Sequence, residues 1–249
     1  MSFWPNNYEG EWTLDQAVLR KGIGLHNGKK SEVRLLPCDQ AGFHVSWIDS
    51  QEVPVTLNAF QARDSQLCTT LELGNHRLST VEHLLAALVG CGLTHVHLEV
   101  LGEEIPLLDG SALGWVEAIA EVGITRARTP CLSPPTLEKP LVINRGRSVI
   151  TATPAERFSL VGIIDFPYGA IGKQFYAIEL TPQSFVKEIA PARTFGFIDQ
   201  IEHLREAGLI KGGALDNALV CDGDNWLNPP LRFEDEPVRH KLLDLIGDL

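Results

Sequence analysis

Cysteine is scarce and unpatterned. Cys38, Cys68, Cys91, Cys131 and Cys221 are odd in number, widely spaced and without one C-x-x-C pair, which excludes a cysteine-rich zinc module and fits reduced thiols. Positive charge is also short. Lysine and arginine total 21 against 32 aspartates and glutamates, a formal net charge of −11, so the net charge speaks against general affinity for nucleic acid or an anionic membrane, and any anionic ligand must be met by local cations. No apolar run is long enough to span a bilayer: Leu84 to Leu93 is about half the roughly 20 residues needed and contains two glycines. The N-terminal Met-Ser-Phe-Trp-Pro-Asn-Asn lacks the basic and apolar regions of a secretory signal, which points to a cytoplasmic protein. There is no P-loop, no G-x-S-x-G elbow and no H-E-x-x-H.

What is present is a chain of 249 residues, 44% hydrophobic and 21% charged, enough for one large or two smaller globular domains. Segments 11–20, 31–37 and 42–48 alternate in part and predict short strands. The apolar run His83 to Val89, followed by Gly90 and Gly92, predicts a helix over 81–90. Thr94 to Val100 predicts a half-buried strand on whose surface His95 and His97 lie, and Asp109-Gly110-Ser111 opens a helix that runs to about Val122. Four prolines in 129–140 cannot be regular helix or central strand. They predict a linker at 130–140 between domains 1–129 and 141–249. Beyond it, strands are expected at Leu141 to Thr153, Phe158 to Phe166 and Phe175 to Leu180, and helices near 184–190, 197–207 and from Pro237 onward. A short echo between Lys30–Pro37 and Arg147–Pro154 hints at internal duplication.

Two constellations could carry chemistry. His240 and Asp244, four apart on the last helix, stack on one face as two ligands of a metal would, and Asp248 extends the stripe. The same spacing also describes an ordinary helix-surface contact. Glu82 and His83 open a helix, where a carboxylate could serve as general base beside a metal-ligating imidazole. Ser79-x-x-Glu82 equally matches a capping box. Arg193-Thr194-Phe195 and the turn Lys211-Gly212-Gly213 could hold a polar ligand or be a cap and a loop, and His26 lies in a glycine-rich turn.

Leu78-Ser79-Thr80-Val81-Glu82-His83-Leu84, Glu104-Ile105-Pro106-Leu107-Leu108-Asp109-Gly110-Ser111, Ala192-Arg193-Thr194-Phe195-Gly196-Phe197 and the segment from Phe233 to Leu249 together resemble the bacterial UDP-3-O-acyl-N-acetylglucosamine deacetylases. Gly22 to Lys30 and Lys211 to Val220 match in the same order, so the resemblance covers essentially the whole chain. It implies an α+β fold of two similar domains, each with sheets packed against helices, and an active site in the cleft between them. It implies one zinc ion held by His83, His240 and Asp244, with Glu82 as base, Thr194 as a hydroxyl donor to the developing oxyanion, Lys241 as a positive charge and Asp248 as an orienting carboxylate. Ile198, Ile201, Ile210, Ala214 and Val220 would line an acyl passage, Phe195 would stack near the sugar, and Leu67, Cys68 and Gly213 would border the cleft.

The reaction so implied is hydrolysis of the N-acetyl group of UDP-3-O-acyl-N-acetylglucosamine, the committed step of lipid A synthesis, by a cytoplasmic monomer that touches the inner membrane transiently. In the family, a strand and helix beyond the Gly247-Asp248-Leu249 position carry a histidine that protonates the leaving amine. The sequence stops at Leu249, so the expectation is a chain without that acid. The competing expectation is a non-catalytic protein that binds the sugar nucleotide or the acyl chain.

Overall fold

Alternating segments of the N-terminal half assemble around one central strand in the computed structural model, which describes residues 3–131 and 136–249. Strands β1 (Trp12–Leu14), β2 (Val18–Ile23), β3 (Lys30–Pro37), β4 (Gly42–Trp47) and β5 (Val55–Thr56) are followed by a small separate sheet of β6 (Ala62–Arg63), β7 (Thr70–Leu73) and β8 (His76–Ser79). Helix α1 (Glu82–Gly90), strand β9 (His95–Leu101), helix α2 (Leu113–Val122) and strand β10 (Ile124–Arg126) complete this half. β9 pairs antiparallel with β3 and parallel with β4, and the seven-stranded sheet is closed out by β1, β2, β5 and β10. The two-residue period decides which side is core: Val33, Leu35, Val45, Val96, Leu98 and Val100 are all buried. His95 and His97 share a face as the period requires, but His95 is not a surface residue. It is fully buried, because Thr94 and Cys131 lie against its ring, with Thr94 Oγ1 2.8 Å and Cys131 Sγ 3.8 Å from Nδ1.

The expected strand Leu141–Thr153 is a hairpin, β11 (Leu141–Arg145) and β12 (Ser148–Ala152), because Gly146 takes a left-handed φ of 60° and turns the chain in two residues. A second hairpin, β13 (Ser159–Asp165) with β14 (Lys173–Glu179), leads into the short helix α3 (Pro182–Ser184), capped by Thr181, and a π-helical turn at Phe185–Ile189. β15 (Phe195–Phe197) runs directly into α4 (Ile198–Glu206), and β16 (Leu219–Asp222), β17 (Asn225–Trp226) and α5 (Glu236–Asp248) follow. The fold is α+β. Residues 132–135 of the expected linker lie outside the described residues.

What positions the site is the way α1 and α5 meet. α2 packs on β2, α1 on both α2 and α5, and α5 on β13 and β14, so helices are layered between strands of the two halves. Leu84 and Leu88 of α1, Trp115 and Ile119 of α2, and Leu242, Leu243 and Ile246 of α5 join one contiguous core. At roughly 1.5–3 kcal/mol for each large side chain removed from water, this core fixes the helices against one another. Glycine permits the closest contacts. A Cβ at Gly247 would lie 2.0 Å from the backbone oxygen of Glu82, and one at Gly90 would enter the Phe185 ring. Gly212 likewise meets the backbone of Gly24, so the two glycine-rich turns of the sequence form one seam.

Candidate metal and catalytic site

Helix α1 begins at Glu82 itself, so the first two residues of its first turn are the acidic and imidazole side chains. Val81 precedes it in helical conformation and supplies no side-chain cap. The capping box is not formed: the Ser79 N–H donates to the Glu103 carbonyl, and Glu82 Oε2 accepts instead from the Thr69 N–H at 3.0 Å. Thr80 holds a left-handed φ of 58° while its hydroxyl donates to Glu104 Oε1 at 3.0 Å, and this bend turns the start of α1 inward.

From α5, His240 and Asp244 project towards the same point. His83 Nε2 and His240 Nε2 lie 3.5 and 3.4 Å from one atom, Asp244 Oδ1, with the two rings nearly perpendicular at 4.9 Å. The helix-surface alternative for His240–Asp244 fails on burial, since His240 is 1% exposed. One ligand atom from each of the three residues lies within 4.8 Å of the others, and they form a group able to hold a metal ion. The donor set fits a cation: His240 Nε2, which faces Asp244 Oδ1, is buried without a hydrogen-bond partner. A tetrahedral ion with bonds of about 2.0–2.1 Å places adjacent ligand atoms about 3.3–3.4 Å apart, close to the two separations to Asp244 Oδ1. His240 Nδ1 donates to the Ala192 carbonyl at 3.0 Å, leaving Nε2 with its lone pair towards the centre.

Charge is arranged around this point. Burial pushes the Glu82 carboxyl up to about 7, with Asp244 adding to the rise and His83 opposing it. Burial drives the His240 ring down to about 3, so the ring is neutral. Burial also opposes charge on His83 and on Asp244. There the neighbours win: Asp244 and Glu82 raise the His83 ring above its usual value, and His240, Lys241 and His83 hold the Asp244 carboxyl well below the carboxylate range. Lys241 Nζ lies 2.9 Å from Asp244 Oδ2, which raises the ammonium, and 5.4 Å from the centre of the Phe195 ring. Asp248 Oδ1 accepts from the Thr69 hydroxyl at 2.7 Å, and burial raises its carboxyl. Thr69, not anticipated from sequence, thus joins Glu82 and Asp248 through its amide and its hydroxyl.

Thr194 sits on the segment just before β15, held by its N–H to the Gly110 carbonyl at 2.7 Å and by its own carbonyl accepting from the Leu219 N–H. Phe195, next to it, lies edge-on to His240 at 6.4 Å. A cavity of about 290 Å³ opens beside Asp248, Cys68 and Thr69, and a second of about 600 Å³ lies between Cys68, His26 and Leu209. Cys68 borders both. Leu67 is exposed at a left-handed φ of 64°, and Ile210, also left-handed, carries the turn on which Gly213 donates to its carbonyl. Ile198 is exposed and Ile201 half-buried on α4, a helix with no buried residue; Ala214 is exposed, whereas Val220 is buried in β16. Arg193 does not face a ligand: its guanidinium pairs with buried Glu236. Glu236 is the last of three acidic residues before Pro237, and nothing in that run marks it from the sequence.

A buried carboxylate beside two imidazoles and an anionic aspartate is the equipment of metal-assisted hydrolysis. The family model for UDP-3-O-acyl N-acetylglycosamine deacetylase matches residues 11–249. The chain belongs to that family. A UDP-3-O-acyl-N-acetylglucosamine deacetylase of Trichormus variabilis is 48% identical over 244 residues, covering 95% of this chain and 87% of its own. The deacetylase of a Synechocystis strain is 46% identical over 240 residues with the same coverage. A probable mitochondrial deacetylase of Arabidopsis thaliana is 40% identical over 252 residues, covering 95% of this chain and 77% of its own. As in the sequence expectation, no helix among the described residues of this deacetylase-family chain is long and apolar enough to cross a membrane.

Proposed function

We propose that this chain is a zinc-dependent hydrolase that removes the N-acetyl group of UDP-3-O-acyl-N-acetylglucosamine. The observation that carries the reading is the convergence of His83 and His240 on Asp244 with buried Glu82 alongside. Zinc at this group would polarise the amide carbonyl and lower the pKa of water to roughly 7. Two imidazole nitrogens and one carboxylate are a donor set that zinc accepts and that leaves a position open.

The chain's own residues supply the rest. Glu82, with a carboxyl near 7 before any cation is bound, takes a proton from the attacking water, and Thr69 holds the other end of that carboxylate by its amide. The Thr194 hydroxyl donates to the oxygen on which charge develops, and Lys241 adds positive charge while steadying Asp244. Asp248, held by the Thr69 hydroxyl, is the carboxylate that in the family orients the histidine protonating the leaving amine, a residue the family carries beyond the Leu249 position. Phe195 bounds the sugar. Leu67, Cys68 and Gly213 edge the cleft, and Ile198, Ile201, Ile210, Ala214 and Val220 take the acyl chain. The reading keeps the division into domains 1–129 and 141–249, with the site at their junction, in a monomeric cytoplasmic enzyme making transient contact with the inner membrane.

The test is product balance. Zinc-loaded protein given UDP-3-O-acyl-N-acetylglucosamine releases acetate and free amine in equal amounts, and Glu82→Ala abolishes release while binding the substrate. Substrate binding by both proteins with no acetate from either would replace this reading with that of a binding protein.

A further inference from the structure

Glu236, the first residue of α5, is completely buried, and its carboxylate accepts four N–H donors. Oε1 takes the backbone N–H of Arg193 at 2.9 Å and its Nε at 2.8 Å; Oε2 takes Arg193 Nη2 at 3.1 Å and the Arg232 backbone N–H at 2.6 Å. A buried carboxylate is costly unless so satisfied. The Arg193 N–H belongs to the same peptide group as the Ala192 carbonyl, and that carbonyl is the acceptor for His240 Nδ1 at 3.0 Å. One rigid planar unit therefore has a carboxylate on its N–H and an imidazole on its C=O. Because a carbonyl only accepts, Nδ1 must carry the proton in this arrangement. Hydrogen bonds in series strengthen one another, so a negative charge on the N–H side makes the carbonyl a better acceptor.

We infer that Glu236 is a positioning residue for His240: through the Ala192–Arg193 peptide it holds the imidazole in its Nδ1–H form, with Nε2 free to bind a metal. The inference rests on the metal-hydrolase reading for its purpose, but not for its readout. Without Glu236, the competing arrangement places the proton on Nε2, 3.4 Å from Asp244 Oδ1, and the lone pair needed by a metal is lost.

The experiment compares wild type, Glu236→Gln and Arg193→Lys as intact chains. In metal-free, ¹⁵N-labelled protein, imidazole ¹⁵N shifts report the tautomer of His240, and competition with a chelator reports zinc affinity. Wild type shows the Nδ1–H form. Glu236→Gln, with the charge gone and an amide group facing donors, shows the Nε2–H form appearing and zinc binding about tenfold weaker or more, the scale for removing an outer partner of a metal-bound histidine. Arg193→Lys loses the guanidinium bonds but keeps the backbone N–H, and so keeps the wild-type tautomer and zinc affinity. Should the glutamine variant not fold, Glu236→Asp, which withdraws the charge by one methylene, gives the same readout. The inference is overturned if the Glu236 variant keeps the Nδ1–H form with zinc affinity within threefold of wild type, or if Arg193→Lys loses as much as Glu236→Gln. Absence of zinc binding by wild type would defeat the hydrolase reading instead, and the tautomer in the metal-free protein would still decide this one.

Discussion

The contact of Gly247 with the start of α1 sets the spacing of the site, and adding one methyl group there has a calculable effect. In Gly247→Ala the new Cβ would lie 2.0 Å from the Glu82 oxygen, 2.7 Å from its carbonyl carbon and 2.9 Å from its Cα. All three are backbone atoms, so no rotamer change relieves the overlap. Ordinary contact begins at 3.4 Å, and the helices must part by about 1.4 Å along that line (3.4 minus 2.0). Overpacking of this kind costs about 1–3 kcal/mol, against up to about 1 kcal/mol recovered from alanine's helix propensity. With that recovery in full, a net loss of about 0–2 kcal/mol is expected. The larger effect is on geometry. His83 rides on α1 and Asp244 on α5, now 3.5 Å apart, and a shift of that size removes one of three ligands from reach of a single ion. Urea unfolding of the metal-free protein and chelator competition for zinc measure the two effects; zinc affinity should fall at least about tenfold. Gly196→Ala, where an added Cβ meets nothing within 4 Å, should leave zinc affinity unchanged. Wild-type stability together with wild-type zinc affinity in Gly247→Ala would refute the claim that this contact sets the site.

The raised carboxyl of Glu82 makes two further predictions. Activity should fall as pH drops through its pKa, which is about 7 before the cation is bound and lower with it, so the acidic limb of the rate profile should lie at or below pH 7 and vanish in Glu82→Gln. In the metal-free protein the same shift acts on stability: its contribution is fully present below about pH 4.5 and lost as pH rises through about 7, so Glu82→Gln should stabilise the fold at pH 8 by up to about 3 kcal/mol and not at pH 4. A pH-independent difference in urea midpoints would contradict that. Asp244→Asn removes the one anionic ligand and the partner of Lys241, and zinc affinity should fall by about 100-fold or more in the same chelator assay. Lys241→Met should lower kcat with zinc content unchanged, read by acetate release and metal analysis on one preparation.

Periodicity carried most of the fold. β3, β9 and α2 were legible because each buries one side on a regular repeat, α1 because an unbroken apolar run ends at Gly90 and Gly92, and α5 because its apolar positions fall at helical spacing behind Pro237. The hairpin at Gly146 was not, since the residues on both sides of the turn are equally β-branched and a continuous strand reads the same way. His95 was misplaced because alternation tells which face a residue shares but not what covers that face. For the site, four-residue spacing brought His240 and Asp244 together, whereas their junction with Glu82 and His83 spans about 160 residues and no local pattern encodes it. Only motif resemblance linked the two pairs. Thr69 and Glu236 escaped because both act through backbone groups: one amide on the Glu82 carboxylate, and one peptide between Glu236 and His240.

Whether a metal held by His83, His240 and Asp244 acts with Glu82 as the base is tested most directly by a zinc titration followed by acetate release. Metal-free wild type should release no acetate from UDP-3-O-acyl-N-acetylglucosamine. Its activity should rise linearly to a break at one zinc per chain, while Glu82→Gln binds the same equivalent and turns over about 10²–10⁴-fold more slowly. Acetate release that is independent of zinc, or a Glu82→Gln variant as fast as wild type, would contradict it.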